Sequence, residues 1–441
     1  EVVFERAGII RCQSITAQFD YARALASQPL PTGSGLLIVA NAGGPGIMAA
    51  DAAERQGLEL APLSEPTTRR LAEALPAASN VHNPVDVLGD ALADRFEHAL
   101  DVGLDDPAVH AALVLLTPHA MTEPNATAEA VVRVARAKPD KPILACFLGS
   151  RRVQEAIGIL REGNVPCYES PEFAVATIRV LSDYHRWRSR PKRVIRLFPV
   201  NRRKVEKIFH RHLRLGQREI GETEAMEVLE AYGFVTPRGL LATTAEQAAA
   251  FADRIGYPVV LKIWSPDIVH KAEVGGVRSG LAGPQEVMDA FDLMMYRIPK
   301  KVPHANILGV LVQETCARGR EVILGMNRDP HYGPLMMFGT GGVRVEVLGD
   351  VAFYLAPITA EEAKEMLAGT RTYQLLRGRP GEEGVDLDAV AEGLQRLSQL
   401  VTEFPQIQQM DINPYVVGPA GTTPIAVDAR LVVEPTERES P

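Results

Sequence analysis

Two rhythms of apolar and polar positions divide this chain near its middle. In the first half, residues 36–40, 111–116 and 143–147 are short runs with no polar position, as expected of strands buried on both faces. Amphipathic stretches separate them and predict helices over 45–55 (closed by Gly57), 126–137, 152–162 and 171–182. Strand alternating with helix over about 150 residues predicts a parallel sheet covered on both sides. Ahead of it, residues 1–32 read as a short strand, a helix over 15–25 and an exit through Pro29 and Pro31.

From Glu222 the pattern becomes mixed α+β with more antiparallel character. A helix is expected over 225–232, another starting at Thr-Thr-Ala-Glu 243–246, and a strand over 259–263 that carries Lys262. Further strands are expected over 308–314, 321–327 and 335–339, then helices over 361–368 and 387–401 and a closing hairpin. Between the halves, residues 185–218 hold thirteen Arg or Lys against a single Glu, which predicts a solvated linker. His210 and His212 within it stand two apart, a spacing that diverges on a helix and argues against a shared metal.

Composition narrows the class. At 441 residues the chain is long for one domain, and its hydrophobic share of 46% is that of a globular protein. A net charge of −8 argues against nucleic acid as the main partner. No apolar run nears the roughly 20 residues that span a bilayer, and no signal peptide pattern opens the chain. Cys12, Cys146, Cys167 and Cys316 stand far apart without a CxxC pair, in keeping with a reducing, cytoplasmic setting.

Several stretches carry candidate chemistry. Asn41-Ala-Gly-Gly-Pro-Gly46 follows a strand and opens a helix, so Gly43, Gly44 and Gly46 could let an anion approach the helix amides. It has neither the dinucleotide nor the P-loop spacing, and a plain strand-to-helix turn remains open. Lys262 can hold a nucleotide phosphate from its strand, and His270, on a loop hinged at Gly275-Gly276, can act as a nucleophile. Gln313 and Glu314 end a strand where a base could lie, and Glu321 opens the next. Phe338-Gly-Thr-Gly-Gly342 suits either a flap whose amides close over a polyphosphate, through Gly339, Gly341 and Gly342, or a hairpin turn. In the final hairpin Asp411 and Asn413 share a face, and folding near residue 420 brings Asn413 opposite Asp428. Two carboxylates and an amide oxygen converging there would suit Mg²⁺.

Taken in order, Lys262, His270 (in SPDIVHKAEVGGV), Gln313-Glu314, the glycine flap, MDINP and VDAR make residues 222–434 resemble the ATP-grasp domain of the ADP-forming acyl-CoA synthetases, in the succinyl-CoA synthetase superfamily. NAGGPGIMAAD with NPVD makes 34–184 resemble the flavodoxin-like ligase domain of the same enzymes. The resemblance implies ATP or ADP with Mg²⁺, and the reversible conversion of an acyl-CoA (acetyl-CoA foremost), ADP and phosphate to a free acid, CoA and ATP through phosphohistidine. It makes His270 the phosphate-relaying histidine, with Asp411 in the acidic position near it. Lys262 would contact nucleotide phosphates, Glu314 the adenosine, and Asn413 and Asp428 the Mg²⁺. The glycines 43, 44 and 46 would face the phosphorylated histidine.

The family also carries a CoA-binding domain and a Ser-His-Thr-Gly phosphohistidine segment, and this sequence contains neither. Residues 1–33 resemble the tail of such a preceding domain, with 185–221 the basic linker and 435–441 a polar tail. The expectation is therefore an oligomer in which a CoA-binding, phosphohistidine-bearing domain or subunit completes the reaction on an acyl-CoA or small carboxylic acid. The competing readings are a synthetase-like regulatory module of a protein lysine acetyltransferase and an ATP-grasp ligase joining a carboxylate to an amine. The intact His270 and the hairpin acids favour the synthetase.

Overall fold

The computed structural model describes residues 2–149, 151–268, 271–316, 319–340, 350–378 and 381–435. Of the expected site residues, His270, Gly341 and Gly342 lie outside these. The chain divides into two compact units, Val3–Lys192 and Arg193–Pro441.

The first unit is built on strands β1 (Gly35–Ala40), β2 (Glu59–Leu60), β3 (Val85–Asp86), β4 (Ala111–Leu116) and β5 (Ile143–Phe147), all parallel. β1 is flanked by β4 on one side and by both β2 and β3 on the other, and β5 pairs outside β4. Alternate residues feed two separate cores. Leu37, Val39, Val114 and Ala145 meet the helices Ala93–Asp105 and Pro124–Ala137, while Leu36, Ile38, Leu113 and Cys146 meet Gly43–Arg55 and Pro171–Arg188. This is why the runs read as continuously apolar: neither face is left to water. Residues Val2–Ala7 form a helix rather than the short strand expected.

The second unit holds two antiparallel sheets. One contains β7 (Gly239–Ala242), β8 (Val259–Trp264), β9 (Val277–Leu281) and β10 (Gly309–Glu314), in the order β7-β10-β8-β9. Helices Ala245–Ile255 and Pro284–Lys301 cover it through Ala248, Val287, Phe291 and Met294. The Thr244 side chain caps the first helix by accepting from Gln247 N, as the Thr-Thr-Ala-Glu pattern predicted.

The other sheet contains β6 (Glu219–Ile220), β11 (Arg320–Asp329), β12 (Gly333–Thr340), β13 (Val351–Leu355), β14 (Ile407–Val417), β15 (Ile425–Ala426) and β16 (Ala429–Val433). Its order is β13-β12-β11-β14-β16-β6, with β15 also on β14. Helix Leu387–Glu403 packs Val390, Leu394, Leu397 and Val401 into its core.

The basic stretch is linker over only part of its length. Arg202–Arg214 is a helix, capped by Asn201, that buries Val205, Ile208 and Phe209 in the core of the second unit. Apolar residues every three or four positions lie under the charge, and they decide the structure.

Candidate functional site

The most concentrated charge among the buried residues of the second unit gathers around Glu222. Gly221 caps helix Glu222–Ala231, and the first-turn Glu222 turns inward on the face that also buries Ala225, Met226 and Leu229. Its Oε1 accepts from Lys262 Nζ at 3.0 Å and its Oε2 from Lys271 Nζ at 2.5 Å. Lys262 Nζ also donates to the Val427 carbonyl at 3.0 Å, which joins β8 to the connection between β15 and β16.

The electrostatics follow from burial and from these pairings. Burial alone would raise the Glu222 carboxyl, but Lys262 and Lys271 outweigh it and hold the group below the ordinary glutamate range. Burial would likewise lower Lys271, yet Glu222 and Asp428 raise it. Asp428 goes the other way: burial and the Glu222 charge push its carboxyl up, against the pull of Lys262 and Lys271. One more cation near Asp428 would therefore be favourable.

The closing hairpin forms as expected and sets Asn413 against Asp428, with Asn413 N donating to the Asp428 carbonyl at 3.0 Å. Asp411 is not drawn into the charged group by the described contacts. It pairs in register with Gly325 and Arg430, and burial raises its carboxyl while Arg430 pulls it down. Gly325 leaves it room: a Cβ there would stand 2.9 Å from Asp411 Oδ1. Among the described residues no group of three His, Cys, Asp or Glu could hold a metal. The Asp428 carboxylate and the Asn413 amide oxygen are donors of the kind a hard cation takes.

Other expected residues fall in different surroundings. Gln313 is buried on β10 between Gly239 and Val260. Glu314 gives its carboxylate to Arg238, which donates from Nε at 3.1 Å and holds the group below its usual range. Glu321 is exposed on β11 opposite Val416. Gly339 lies inside β12, where a Cβ would meet Val351 Cγ1 at 2.9 Å and the Asp350 carbonyl at 3.0 Å. Close strand packing thus accounts for Gly339, while Gly341 and Gly342 of the expected flap lie outside the described residues.

In the first unit, helix Gly43–Arg55 starts two residues earlier than the pattern predicted, with no side-chain cap. Gly43 and Gly44 are exposed, and a Cβ on either would meet nothing within 4 Å, so the first turn is open to an incoming group. Gly46 is buried between Ala40 and Pro84. Asn83 is structural, since its side chain accepts from Ile38 N and donates to the Leu36 and Ala61 carbonyls. Asn41 likewise exchanges two bonds with the Thr117 backbone, tying the ends of β1 and β4.

Two domain families and several relatives match the chain. The ATP-grasp domain family matches residues 211–433 and the Ligase-CoA domain family matches 36–195. Acetate–CoA ligase [ADP-forming] I of Archaeoglobus fulgidus is 42% identical over 432 residues, 98% of this chain and 61% of that protein. The chain belongs to the ADP-forming acetate/acyl-CoA synthetase family. Another member, the beta subunit of acetate–CoA ligase [ADP-forming] I of Pyrococcus furiosus, is 42% identical over 49% of this chain and 92% of its own length. A solved member, Ca. Korarchaeum cryptofilum dinucleotide forming acetyl-coenzyme A synthetase 1 in complex with coenzyme A, Ca-AMPCP and HgCl+, shares 38% identity. It superimposes with a TM-score of 0.50 over 52% of this chain and 99% of that chain. The chain spans about three-fifths of the length of the curated relatives it matches along almost its whole extent. Sequence reasoning singled out Lys262 but passed over Glu222. The available signal was a carboxylate on the apolar stripe of its helix.

Proposed function

We propose that this chain is the nucleotide-binding and phosphate-relay portion of an ADP-forming acyl-CoA synthetase, with acetyl-CoA the foremost substrate. The overall conversion takes acyl-CoA, ADP and phosphate to free acid, CoA and ATP through phosphohistidine. A CoA-binding, phosphohistidine-bearing domain or subunit supplies the acyl half. The observation that carries the reading is the buried Glu222–Lys262–Lys271 cluster with Asp428 beside it. Lys271 directly follows His270 in the chain, so the expected relay histidine is joined to a residue tied into that cluster.

The roles follow from charge. Lys262 and Lys271 offer ammonium protons to the phosphates of the nucleotide. Asp428 and Asn413 would hold Mg²⁺, which offsets phosphate charge when bound. A neutral His270 imidazole would attack the phosphoryl group of the complementing portion's phosphohistidine, whose N–P bond breaks to leave a neutral imidazole as the new bond forms, and would pass the group on to ADP. The open first turn at Gly43 and Gly44 exposes backbone amides of the kind that bind a phosphoryl group. Supplied with a complementing CoA-binding portion, acetyl-CoA, Mg-ADP and phosphate, the assembly should form ATP, and His270→Ala should abolish this. ATP formation by His270→Ala at the wild-type rate would refute the relay role.

A further inference from the structure

Glu222 carries an inference beyond this reading and resting on it. Its side chain is 5% exposed, and the lysines it binds are 8% and 13% exposed, so all three are held largely out of water. The lysines come from separate parts of the chain, one inside β8 and one beyond it, and their like charges repel. One carboxylate accepts a hydrogen bond from each, Oε1 from Lys262 and Oε2 from Lys271. An ammonium has three N–H bonds. For Lys262, Glu222 and the Val427 carbonyl account for two of them, which fixes the direction of the third. Among the described residues, Lys271 has two beyond its bond to Glu222.

We infer that Glu222 is a positioning residue that bridges Lys262 and Lys271 so that their remaining N–H bonds converge on the phosphates of a nucleoside diphosphate. Glu222 itself does not face the phosphates, because a carboxylate there would repel them. Two other roles would behave differently. A counterion that merely competes with phosphate would, once neutralised, free the lysines and tighten nucleotide binding. An anchor for its helix would, once lost, weaken every ligand of the site alike.

The test compares Mg-ADP and adenosine binding to the full chain as wild type, Glu222→Gln and Glu222→Asp. Calorimetry follows the first ligand and saturation-transfer NMR the second, with circular dichroism as the check on folding. Glu222→Gln should bind adenosine like the wild type and lose about tenfold or more in Mg-ADP affinity, the scale of a charge-assisted bond. Glu222→Asp, which keeps the charge one methylene further back, should recover part of that loss. If Glu222→Gln does not fold, Glu222→Asp alone should still show weakened Mg-ADP and unchanged adenosine. Mg-ADP binding at or above the wild-type affinity in these variants, or an equal loss for both ligands, overturns the inference. A wild-type chain that binds adenosine but not Mg-ADP overturns the nucleotide-phosphate reading and this inference together.

Discussion

Two carboxylates whose net shifts run in opposite directions sit beside the same pair of lysines. Glu222 is held ionised by Lys262 and Lys271, whereas Asp428 is pushed toward its neutral form. Their contributions to pH-dependent stability therefore differ in sign. With its folded value below the unfolded one, Glu222 contributes stability that is full above the ordinary glutamate range. That stability is lost as pH falls through the folded value. Asp428, with its folded value raised, costs stability once pH exceeds the unfolded aspartate value. Denaturant unfolding of Glu222→Gln should show a loss of about 3 kcal/mol at pH 7, since one partner of a buried ionic cluster is removed. The gap to wild type should narrow as pH falls through the lowered Glu222 value, and a gap independent of pH would contradict the assignment. Lys262 was legible in the sequence because a lysine inside an apolar strand needs a partner. The partner was not, because nothing in linear order ties residue 222 to 262 and 271. Gly339 was legible as a special position, but only the neighbouring strand shows that packing explains it.

At the scale of elements, the apolar period carried most of the reading. β4 and β5 fall where the runs placed them, and the closing hairpin pairs Asn413 with Asp428. Two-residue strands such as β2 and β3 are too short to leave a period. Helix Pro284–Lys301 was available but passed over: its buried Val287, Phe291, Met294 and Ile298 carry the helical spacing, with prolines near both ends masking it. The basic stretch misled because charge was weighed ahead of spacing. In helix Arg202–Arg214, Phe209 is 2% exposed and meets Phe404 edge-on with ring centres 5.2 Å apart. Phe209→Ala should cost about 3 kcal/mol or more of unfolding free energy. Arg203→Ala on the exposed face should change it by less than about 0.5 kcal/mol. Equal effects from the two would restore the solvated-linker description.

At the scale of the molecule, the two units hold separate cores, and each carries one of the features named in the proposed function. The open helix start at Gly43 and Gly44 belongs to the first, and the lysine–carboxylate cluster to the second. Both domain types were legible because their motifs stand in family order, while the wiring between charged side chains needed coordinates. The relay proposed for His270 requires that its imidazole be covalently loaded at some stage. The most direct test is to incubate the chain and its complementing CoA-binding portion with Mg-ATP labelled on the γ-phosphate, then locate the label by peptide mapping. The account predicts acid-labile, alkali-stable label on His270, lost in His270→Ala and discharged by ADP. Label confined to other residues, or none on a complete assembly that turns over, would contradict it.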